Sequence, residues 1–265
     1  MRFDPAVRFD SAVNFDAAER GTGSDEWAQL GQSSALAPVQ LSGVDQLIVV
    51  AAHPDDETLG AGGLMTRLWG DGVRVELIVV TDGSASHPNS PTHPAECIAA
   101  LREAETSRAL SILAPGAGIT FLRVPDGKIR ENRSLVAALL GKIVPERTGM
   151  MLVAPWRGDG HRDHREVGLL CATVAAQKST RLMEYPVWMW HWGNPAHPSV
   201  PLNNLVALQL TAQQRELKRR AIGEHRSQVT GLSTVRGDEP TLRADFLQHF
   251  YWDQEVFVTE PGRVL

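Results

Sequence analysis

Residues 48–60 read IVVAAHPDDETLG, an apolar run that ends in one imidazole and three carboxylates. The apolar run is typical of a buried parallel strand, and a helical pattern follows it at residues 59–70. Helix dipoles favour carboxylates in a first turn, so Asp55 to Glu57 alone could be a solvated cap. The stretch therefore predicts a strand-to-helix turn whose polar residues are either a cap or part of a site.

The same alternation of apolar strands and amphipathic helices continues along the chain. Strands are predicted at 46–52, 74–81, 119–123, 150–154, 181–187, 205–210 and 255–259, and helices at 59–70, 94–113, 132–146, 163–177 and 212–227. Repeated β-then-α units favour a mostly parallel sheet with helices on both faces. The predicted fold is an α/β Rossmann-like three-layer sandwich with its active site at the C-terminal ends of the strands.

Polar residues follow four successive strands of this predicted sheet. His53 to Glu57 follow the first strand, Asp82 the second, Asp126 the third and GDGHRDH (158–164) the fourth. Right-handed crossovers bring the carboxyl ends of parallel strands to one edge. We therefore expect these four clusters to meet, which makes the capping interpretation of the first cluster the weaker one.

The whole-chain numbers exclude several classes of protein. A net charge of −5 over 265 residues gives no electrostatic footprint for nucleic acid or anionic lipid. Cys97 and Cys171 are too few for a disulfide framework. The N-terminus lacks an apolar signal region, and no stretch reaches the roughly 18 apolar residues of a membrane span. We expect a cytoplasmic protein.

Residues 1–43 differ in pattern from the rest of the chain. Three six-residue units, RFDPAV, RFDSAV and NFDAAE, place Phe3, Phe9 and Phe15 at regular intervals. Three short units cannot build a solenoid, so this is either an extension lying over the domain, a contact for a homo-oligomer, or a loose tail. The predicted organisation is an N-terminal extension at 1–43 and one catalytic domain at 44–265.

The fourth cluster contains HRDHRE, with His161 and His164 three residues apart near the start of a predicted helix. Together with His53 and Asp56 the edge offers nitrogen and carboxylate ligands and no thiolate. A catalytic zinc takes three protein ligands and keeps one position open. A bound cation would also compensate the crowded carboxylates.

These motifs resemble the PIG-L/LmbE-like family of zinc-dependent N-deacetylases. The resemblance covers residues 45–230 and includes AHPDDE (52–57), the later HxDH (161–164), VVTDGSASHP (79–88), R-x-x-E-x-x-x-A-x-x-x-L from Arg102, and HRSQ (225–228). It implies a Zn²⁺ site, with Fe²⁺ as the other candidate metal. It also implies that His53, Asp56 and His164 are the metal ligands.

The resemblance further implies how the catalytic groups are divided. Asp55 would be the general base for a metal-activated water, and His161 would stabilise the oxyanion or protonate the leaving amine. Asp163 would orient one of the two histidines beside it. Some family members carry a tyrosine two residues before the first histidine, where it can help to polarise the carbonyl. Here that residue is Asp159, which cannot donate a hydrogen bond unless it is protonated, so His161 would carry more of the oxyanion stabilisation.

The expected substrate is a small N-acetylated sugar or glycoconjugate. Asp82, Arg102, Asp126 and Trp188 are the candidate substrate-binding residues, although Arg102 could instead form a salt bridge on a helix surface. If residues 186–192 (PVWMWHW) are extended, their three tryptophans share one face. That face would suit a sugar ring, a partner or a seam with the N-terminal extension. Loop 83–94 is rich in turn formers and could act as a lid.

Three other functions remain open. The chain could be a zinc amidase for a thiol conjugate or an acylated secondary metabolite, or a non-catalytic metal-binding Rossmann-like module. Asp55 argues against the non-catalytic module, because a structural metal site has little use for a free base. A nucleotide-binding module is disfavoured because HPDDET places anions where a phosphate cradle needs glycines.

Overall fold

The computed structural model describes residues 15–17, 19–33 and 36–259, without the side chains of 29–33. Within these residues, one eight-stranded sheet forms the centre of the molecule. Its strands are β1 (Ala37–Pro38), β2 (Gln46–Ala51), β3 (Arg74–Thr81), β4 (Gly118–Val124), β5 (Met150–Pro155), β6 (Arg181–Tyr185), β7 (Leu205–Gln209) and β8 (Gln254–Val258).

The helices of the described residues are α1 (Ser24–Ser33), α2 (Asp56–Gly70), α3 (Ala95–Leu113), α4 (Arg133–Ile143), α5 (Arg162–Gln177), α6 (Met189–Trp192), α7 (Ala212–Glu224), α8 (Arg226–Val229) and α9 (Ala244–Leu247). The predicted helices correspond to α2, α3, α4, α5 and α7, whereas α1, α6 and α9 were not predicted. Short 3₁₀ turns lie at Leu202–Asn204 and Gln248–Phe250.

The strand order is β1-β7-β8-β6-β5-β2-β3-β4. β2 pairs in parallel with both β3 and β5, and parallel pairing continues outward to β4 and to β6. β8 is antiparallel to its neighbours β6 and β7. The predicted mostly parallel α/β fold is therefore confirmed, with one reversed strand.

Strand β2 shows why the molecule has three layers. Its side chains alternate between two apolar cores: Leu47 and Val49 pack with residues of α2, α3 and α7, whereas Ile48 and Val50 pack with residues of α4 and α5. Every residue of β2 is buried. A strand covered on both faces has to be apolar throughout, which explains the unbroken run in the sequence.

Helix α2 lies unusually close to the sheet because its first half contains small residues. A β-carbon at Gly60 would lie 2.1 Å from the ring of Tyr185, and one at Gly63 would lie 2.5 Å from Leu210. The Tyr185 hydroxyl donates a hydrogen bond of 2.8 Å to the carbonyl of Val50. The tyrosine ring is therefore fixed from the sheet side and cannot move away from the helix.

Part of the predicted N-terminal extension belongs to the folded body. Trp27 on α1 is buried in the first core, and β1 pairs with β7 at the edge of the sheet. Phe15 contacts Trp188, whereas Phe3 and Phe9 lie outside the described residues. The expected homo-oligomer contact through this region stays a prediction.

Two local expectations are wrong. The predicted helix at 212–227 is interrupted at His225, whose backbone has φ −77° and ψ 55° and whose ring reaches Thr58. Residues 186–192 are not extended: Met189–Trp192 form a short helix. The reason is tertiary, because the backbone N–H groups of Val187, Trp188 and Met189 all converge on the carboxylate of Asp159.

In the part of the chain that the structure describes, none of the helices combines the length and the apolar character needed to cross a bilayer. The cytoplasmic location stays a prediction.

The close approach of α2 to the sheet predicts an asymmetry between two glycines of the same helix. Gly60→Ala should lower the free energy of unfolding by about 1–3 kcal/mol, because the new methyl group overpacks against Tyr185. Gly70→Ala is the matched control, since a β-carbon there meets nothing within 4 Å. It should leave stability unchanged or raise it by up to about 1 kcal/mol. Urea unfolding followed by circular dichroism measures both, and equal stability of the two variants would contradict the packing described here.

Candidate active site

The polar turn after β2 is built around a strained aspartate. Asp55 immediately precedes α2 and has a backbone φ of 122°, which residues other than glycine rarely adopt. Such strain costs on the order of 1–3 kcal/mol and persists only where surrounding groups enforce it. Glu57 accepts the backbone N–H of Asp55 at 3.2 Å, and His53 donates its own backbone N–H to Asp56 Oδ2 at 2.8 Å.

Arg102 on α3 holds this turn from the other side. Its guanidinium donates to Asp55 Oδ2 at 3.0 Å, to the carbonyl of Gly83 at 2.9 Å and to the carbonyl of Pro54. The arginine side chain is only 5% exposed. The structure therefore places Arg102 beneath the turn, as the partner of Asp55, and neither on a helix surface nor in an open substrate-binding position.

The three expected metal ligands lie together. Asp56 bridges the two imidazoles: its Oδ2 is 3.5 Å from His53 Nδ1 and its Oδ1 is 3.2 Å from His164 Nε2. His164 is fully buried, and its Nε2 faces Asp56 Oδ1 without the geometry of a hydrogen bond to any described residue. An unsatisfied buried nitrogen beside a carboxylate is the donor set that a divalent metal uses.

Asp159 fixes the ring of His164. Its Oδ2 accepts the Nδ1–H of His164 at 2.7 Å, which leaves Nε2 as the ring nitrogen that faces Asp56. Asp159 has no solvent exposure, so this is a fully buried charge-assisted contact. The orienting carboxylate for His164 is therefore Asp159. Asp163 was expected to orient either His161 or His164, and for His164 that position is taken by Asp159.

Asp163 and Asp126 instead contact the first histidine. His53 Nε2 lies 3.3 Å from Asp163 Oδ2 and 3.2 Å from Asp126 Oδ1. The backbone N–H of Gly127 also donates to Asp163 Oδ2 at 3.0 Å. Asp126 was expected to bind substrate, but it lies against His53. The negative charges of Asp126 and Asp163 stabilise a proton or a metal on the His53 imidazole.

His161 is the N-cap of α5, and its Nδ1 accepts the backbone N–H of Asp163 at 3.2 Å. Its ring centroid is 4.9 Å from that of His53 and 4.8 Å from that of His164. Ligand nitrogens of these three histidines lie within 4.8 Å of one another. Because Nδ1 is an acceptor, neutral His161 carries its proton on Nε2, where it can donate to a ligand.

The ionisation of the site follows from burial and from its charged neighbours. Burial, opposed by Arg102, raises the pKa of Asp55 to about 7. Burial and the imidazoles of His164 and His53 lower the pKa of His161 to about 3. Burial works against the charge of Asp56, but His164 and His53 hold the pKa of that carboxyl well below its usual range. At neutral pH the site thus contains an anionic Asp56 and an uncharged His161.

A second polar layer lies behind the turn. His225 Nε2 is 3.0 Å from the Thr58 hydroxyl, which donates to Glu57 Oε1 at 2.8 Å. Two residues later, Ser227 donates its N–H and hydroxyl to Glu105. The HRSQ segment therefore supports the DDE turn and the α3 helix from behind. Glu57 belongs to this supporting layer.

Two other candidate substrate-binding residues serve the surrounding loops. Asp82 Oδ1 accepts the backbone N–H groups of Ser84 at 3.0 Å and of Asp126 at 3.2 Å. Trp188 is stacked on Phe246 at 4.8 Å, and Phe15 lies against it at 5.2 Å. Because Phe15 and Phe246 both pack against the ring of Trp188, the contact fits a seam with the N-terminal segment better than an open surface for stacking a sugar ring.

The loop expected to act as a lid is tied to a distant residue. The hydroxyl of Ser90 donates to Asp238 Oδ1 at 2.6 Å, and that of Thr92 donates to Asp238 Oδ2 at 2.5 Å. His87 also contacts the carbonyl of Glu239 at 3.0 Å. Loop 83–94 is therefore held closed against residues 238–239 in this structure.

Sequence reasoning missed the role of three residues. Asp159 was considered only because some family members have a tyrosine at that position. Its position two residues before His161 nevertheless placed it at the end of the same strand. Arg102 was matched to a helix pattern, and nothing local indicated its contact with Asp55. Trp27 had no signal beyond being an aromatic residue in a polar segment.

Comparison with known proteins agrees with this geometry. Residues 48–175 match the PIG-L family, described as GlcNAc-PI de-N-acetylase. The chain is 31% identical over 129 residues to a diacetylchitobiose deacetylase of Thermococcus kodakarensis, which covers 48% of each chain. It is 25% identical to the 1D-myo-inositol 2-acetamido-2-deoxy-alpha-D-glucopyranoside deacetylase of Rhodococcus jostii, covering 82% of this chain and 92% of that protein. The chain thus spans about half of the first relative and nearly all of the second.

Solved structures share the fold. The N,N'-diacetylchitobiose deacetylase of Pyrococcus horikoshii has a TM-score of 0.54 at 21% identity and covers 82% of each chain. The conserved protein TT1542 of Thermus thermophilus has a TM-score of 0.55 at 26% identity, covering 84% of this chain and 96% of that one. The chain carries a PIG-L family domain at residues 48–175.

Proposed function

We propose that this protein is a metal-dependent N-deacetylase that removes the acetyl group from an N-acetylated amino sugar or glycoconjugate. The proposal rests on one observation: His53, Asp56 and His164 lie in contact at one edge of the sheet. Asp55 and His161 lie beside them. The names of the two curated relatives above support the substrate class, because both describe deacetylases of acetamido sugars.

The residues fit a divalent metal. Two imidazoles and one carboxylate are the donor set of many catalytic zinc sites, and the buried Nε2 of His164 faces Asp56 Oδ1 at 3.2 Å without hydrogen-bond geometry. The surrounding carboxylates of Asp126, Asp159 and Asp163 add negative charge that a cation would compensate. We assign His53, Asp56 and His164 as the residues that would hold the metal, and zinc as the proposed ion, with Fe²⁺ as the competitor.

A bound zinc would polarise the acetyl carbonyl and acidify a water molecule. The chain's own groups would then perform the proton transfers. Asp55 accepts the proton of the attacking water, and Arg102 fixes one oxygen of the Asp55 carboxylate through the contact at 3.0 Å. The strained backbone of Asp55 adds to this, since it fixes the direction of the side chain.

His161 would act on the opposite side of the carbonyl. Its Nδ1 is occupied by the N–H of Asp163, so only Nε2–H is available to donate a hydrogen bond to the oxygen on which negative charge develops. Protonated Asp55 then supplies the proton that the leaving amine needs, since a neutral His161 could release its Nε2–H only by becoming an imidazolate. Asp159 cannot replace the tyrosine of other family members as a donor, because its carboxylate is held by His164 and by backbone N–H groups.

The metal proposal predicts a reversible loss of activity on chelation. Incubation with dipicolinate followed by gel filtration should abolish acetate release from diacetylchitobiose, and added Zn²⁺ or Fe²⁺ should restore it. Elemental analysis before and after treatment, together with acetate release, measures the effect. A metal-free chain that retains full activity would contradict the proposal. An acetylated peptide and an acylated thiol conjugate serve as competing substrates, and preference for either would change the substrate class.

Asp55→Asn should lower kcat by about 100- to 10,000-fold while metal content is retained, because the variant keeps the shape of the side chain and loses its basicity. Asp71→Asn, at the exposed end of α2, is the control and should behave as the wild type. Metal loss in Asp55→Asn would mean that Asp55 is a ligand, and near-normal kcat would remove it as the base.

His164→Ala and His161→Ala should separate binding from catalysis. His164→Ala should lose metal, since it removes the Nε2 that faces Asp56, whereas His161→Ala should keep metal and lower kcat by about 100-fold or more. His93→Ala, in loop 83–94, provides a histidine control. Metal stoichiometry and steady-state kinetics distinguish the two, and equal metal loss in both variants would contradict this division of roles.

A further inference from the structure

Asp159 is bonded to more than His164. Its Oδ1 accepts the backbone N–H groups of Val187 and Met189, each at 2.9 Å, and its Oδ2 accepts that of Trp188 at 3.0 Å. Its carbonyl accepts the indole N–H of Trp192 at 2.8 Å. The orientation of His164 therefore depends on a carboxylate whose position is set by residues 187–192.

Residues 187–192 cannot hold that position by themselves. α6 is four residues long, and isolated helices of this length are not stable in water. The segment must be fixed by the elements that pack against it. One of these is the N-terminal segment, defined here as residues 15–17 and 19–27, which lies outside the family match at 48–175.

Three hydrogen bonds join the N-terminal segment to α6. Trp27 donates its indole N–H to the carbonyl of Trp190 at 3.0 Å, with the two rings edge-to-face at 4.9 Å. The backbone N–H of Thr22 donates to the carbonyl of His191 at 2.8 Å. In return, His191 Nε2 contacts the carbonyl of Asp16 at 3.0 Å. The segment therefore binds both the backbone and a side chain of α6.

The N-terminal segment also reaches the loop that carries His161. Gly160 has φ +86°, and a β-carbon there would lie 3.2 Å from the Phe15 ring and 2.7 Å from Trp192 Nε1. The two aromatic rings thus close over the residue that precedes His161. Phe15 thus gives the segment a second route to the catalytic loop, in addition to the route through α6.

We propose that the N-terminal segment is a positioning element of the active site: it fixes α6, α6 fixes Asp159, and Asp159 fixes the ring of His164. Asp159 and Trp27 are the positioning residues of this chain of contacts, and neither touches substrate. The inference rests on the proposed function, because it assumes that His164 holds a metal. It predicts that metal affinity depends on residues that lie outside the family domain.

The size of the effect follows from the role of these contacts. Carboxylates that orient metal-bound histidines typically account for 10- to 100-fold in metal affinity or activity, so Asp159→Asn should weaken metal binding by roughly that factor. Trp27→Phe keeps an aromatic ring in the core, but it removes the indole N–H together with one of the two fused rings. It should weaken metal binding in the same direction, by less than Asp159→Asn, and should lower kcat without raising KM.

The chain offers a matched control. Trp69 also donates its indole N–H to a backbone carbonyl, that of Pro115 at 3.1 Å, but it is exposed at the end of α2 and far in the chain from α6. Trp69→Phe therefore removes the same kind of hydrogen bond without affecting the proposed contacts. Its metal affinity and kcat should equal those of the wild type.

The test is a double-mutant cycle on the full-length chain. The dissociation constant for Zn²⁺ is measured by competition with a chromogenic chelator for the wild type, Trp27→Phe, Asp159→Asn and the double variant. If Trp27 acts through Asp159, the second substitution should add little to the first. Additive effects, or a Trp27→Phe affinity equal to that of Trp69→Phe, would overturn the inference.

Folding and function are checked alongside. Circular dichroism and urea unfolding report whether the Trp27→Phe variant is folded. If it is not, the Phe15→Ala variant replaces it, since Phe15 is only half-buried. Phe15→Ala should also weaken metal binding. Unchanged affinity in a folded Phe15→Ala would then overturn the inference. A wild type that binds no metal and releases no acetate would reject the proposed function itself, whereas an active, metal-loaded wild type with insensitive variants would reject only the positioning role.

Discussion

The crowding of carboxylates and imidazoles into one largely buried edge of the sheet is the constraint on which the rest of this site depends. Buried charge is costly unless it is paired, and breaking such a pair leaves an uncompensated charge. Asp55 is paired with Arg102, Asp56 with two histidines, and Asp159 with His164 and three backbone N–H groups. Each group is thereby held in one position, which is what acid–base and metal chemistry at this edge would require.

The packing beneath the site serves the same purpose. Helix α2 begins with the DDE turn, and its glycines let it lie against Tyr185 and Leu210 without an intervening side chain. Glu255 on β8 adds contacts to the backbone N–H groups of Gly63 and Leu64 within this helix, at 2.6 and 2.8 Å, and is itself paired with Lys218. The start of α2 is therefore fixed relative to the sheet, so Asp55 and Asp56 keep a constant distance from the residues at the end of β5.

The sequence predicted the sheet and the cluster well, because each depends on local patterns. The apolar run of β2 has to be continuous when both faces are covered, and parallel strands deliver their following residues to one edge. His53, Asp56 and His164 were thus expected to meet, and they do. Arg102, Asp126 and Trp188 were less predictable. Their partners, Asp55, His53 and Phe246, are distant in sequence or are set by how loops fold back, which periodicity does not encode.

The sequence by itself determined the order of strands and helices, the strand ends that carry polar residues, and the family motifs, since these depend on periodicity and on residue spacing. Only the tertiary structure decided which carboxylate serves which histidine. It also decided that residues 187–192 form a short helix and that Trp27 reaches across to it. The physical reason is that a buried carboxylate takes its partners from whichever N–H groups the packing brings near. For Asp159 these come from His164 and from residues 187–189, more than twenty residues further along the chain.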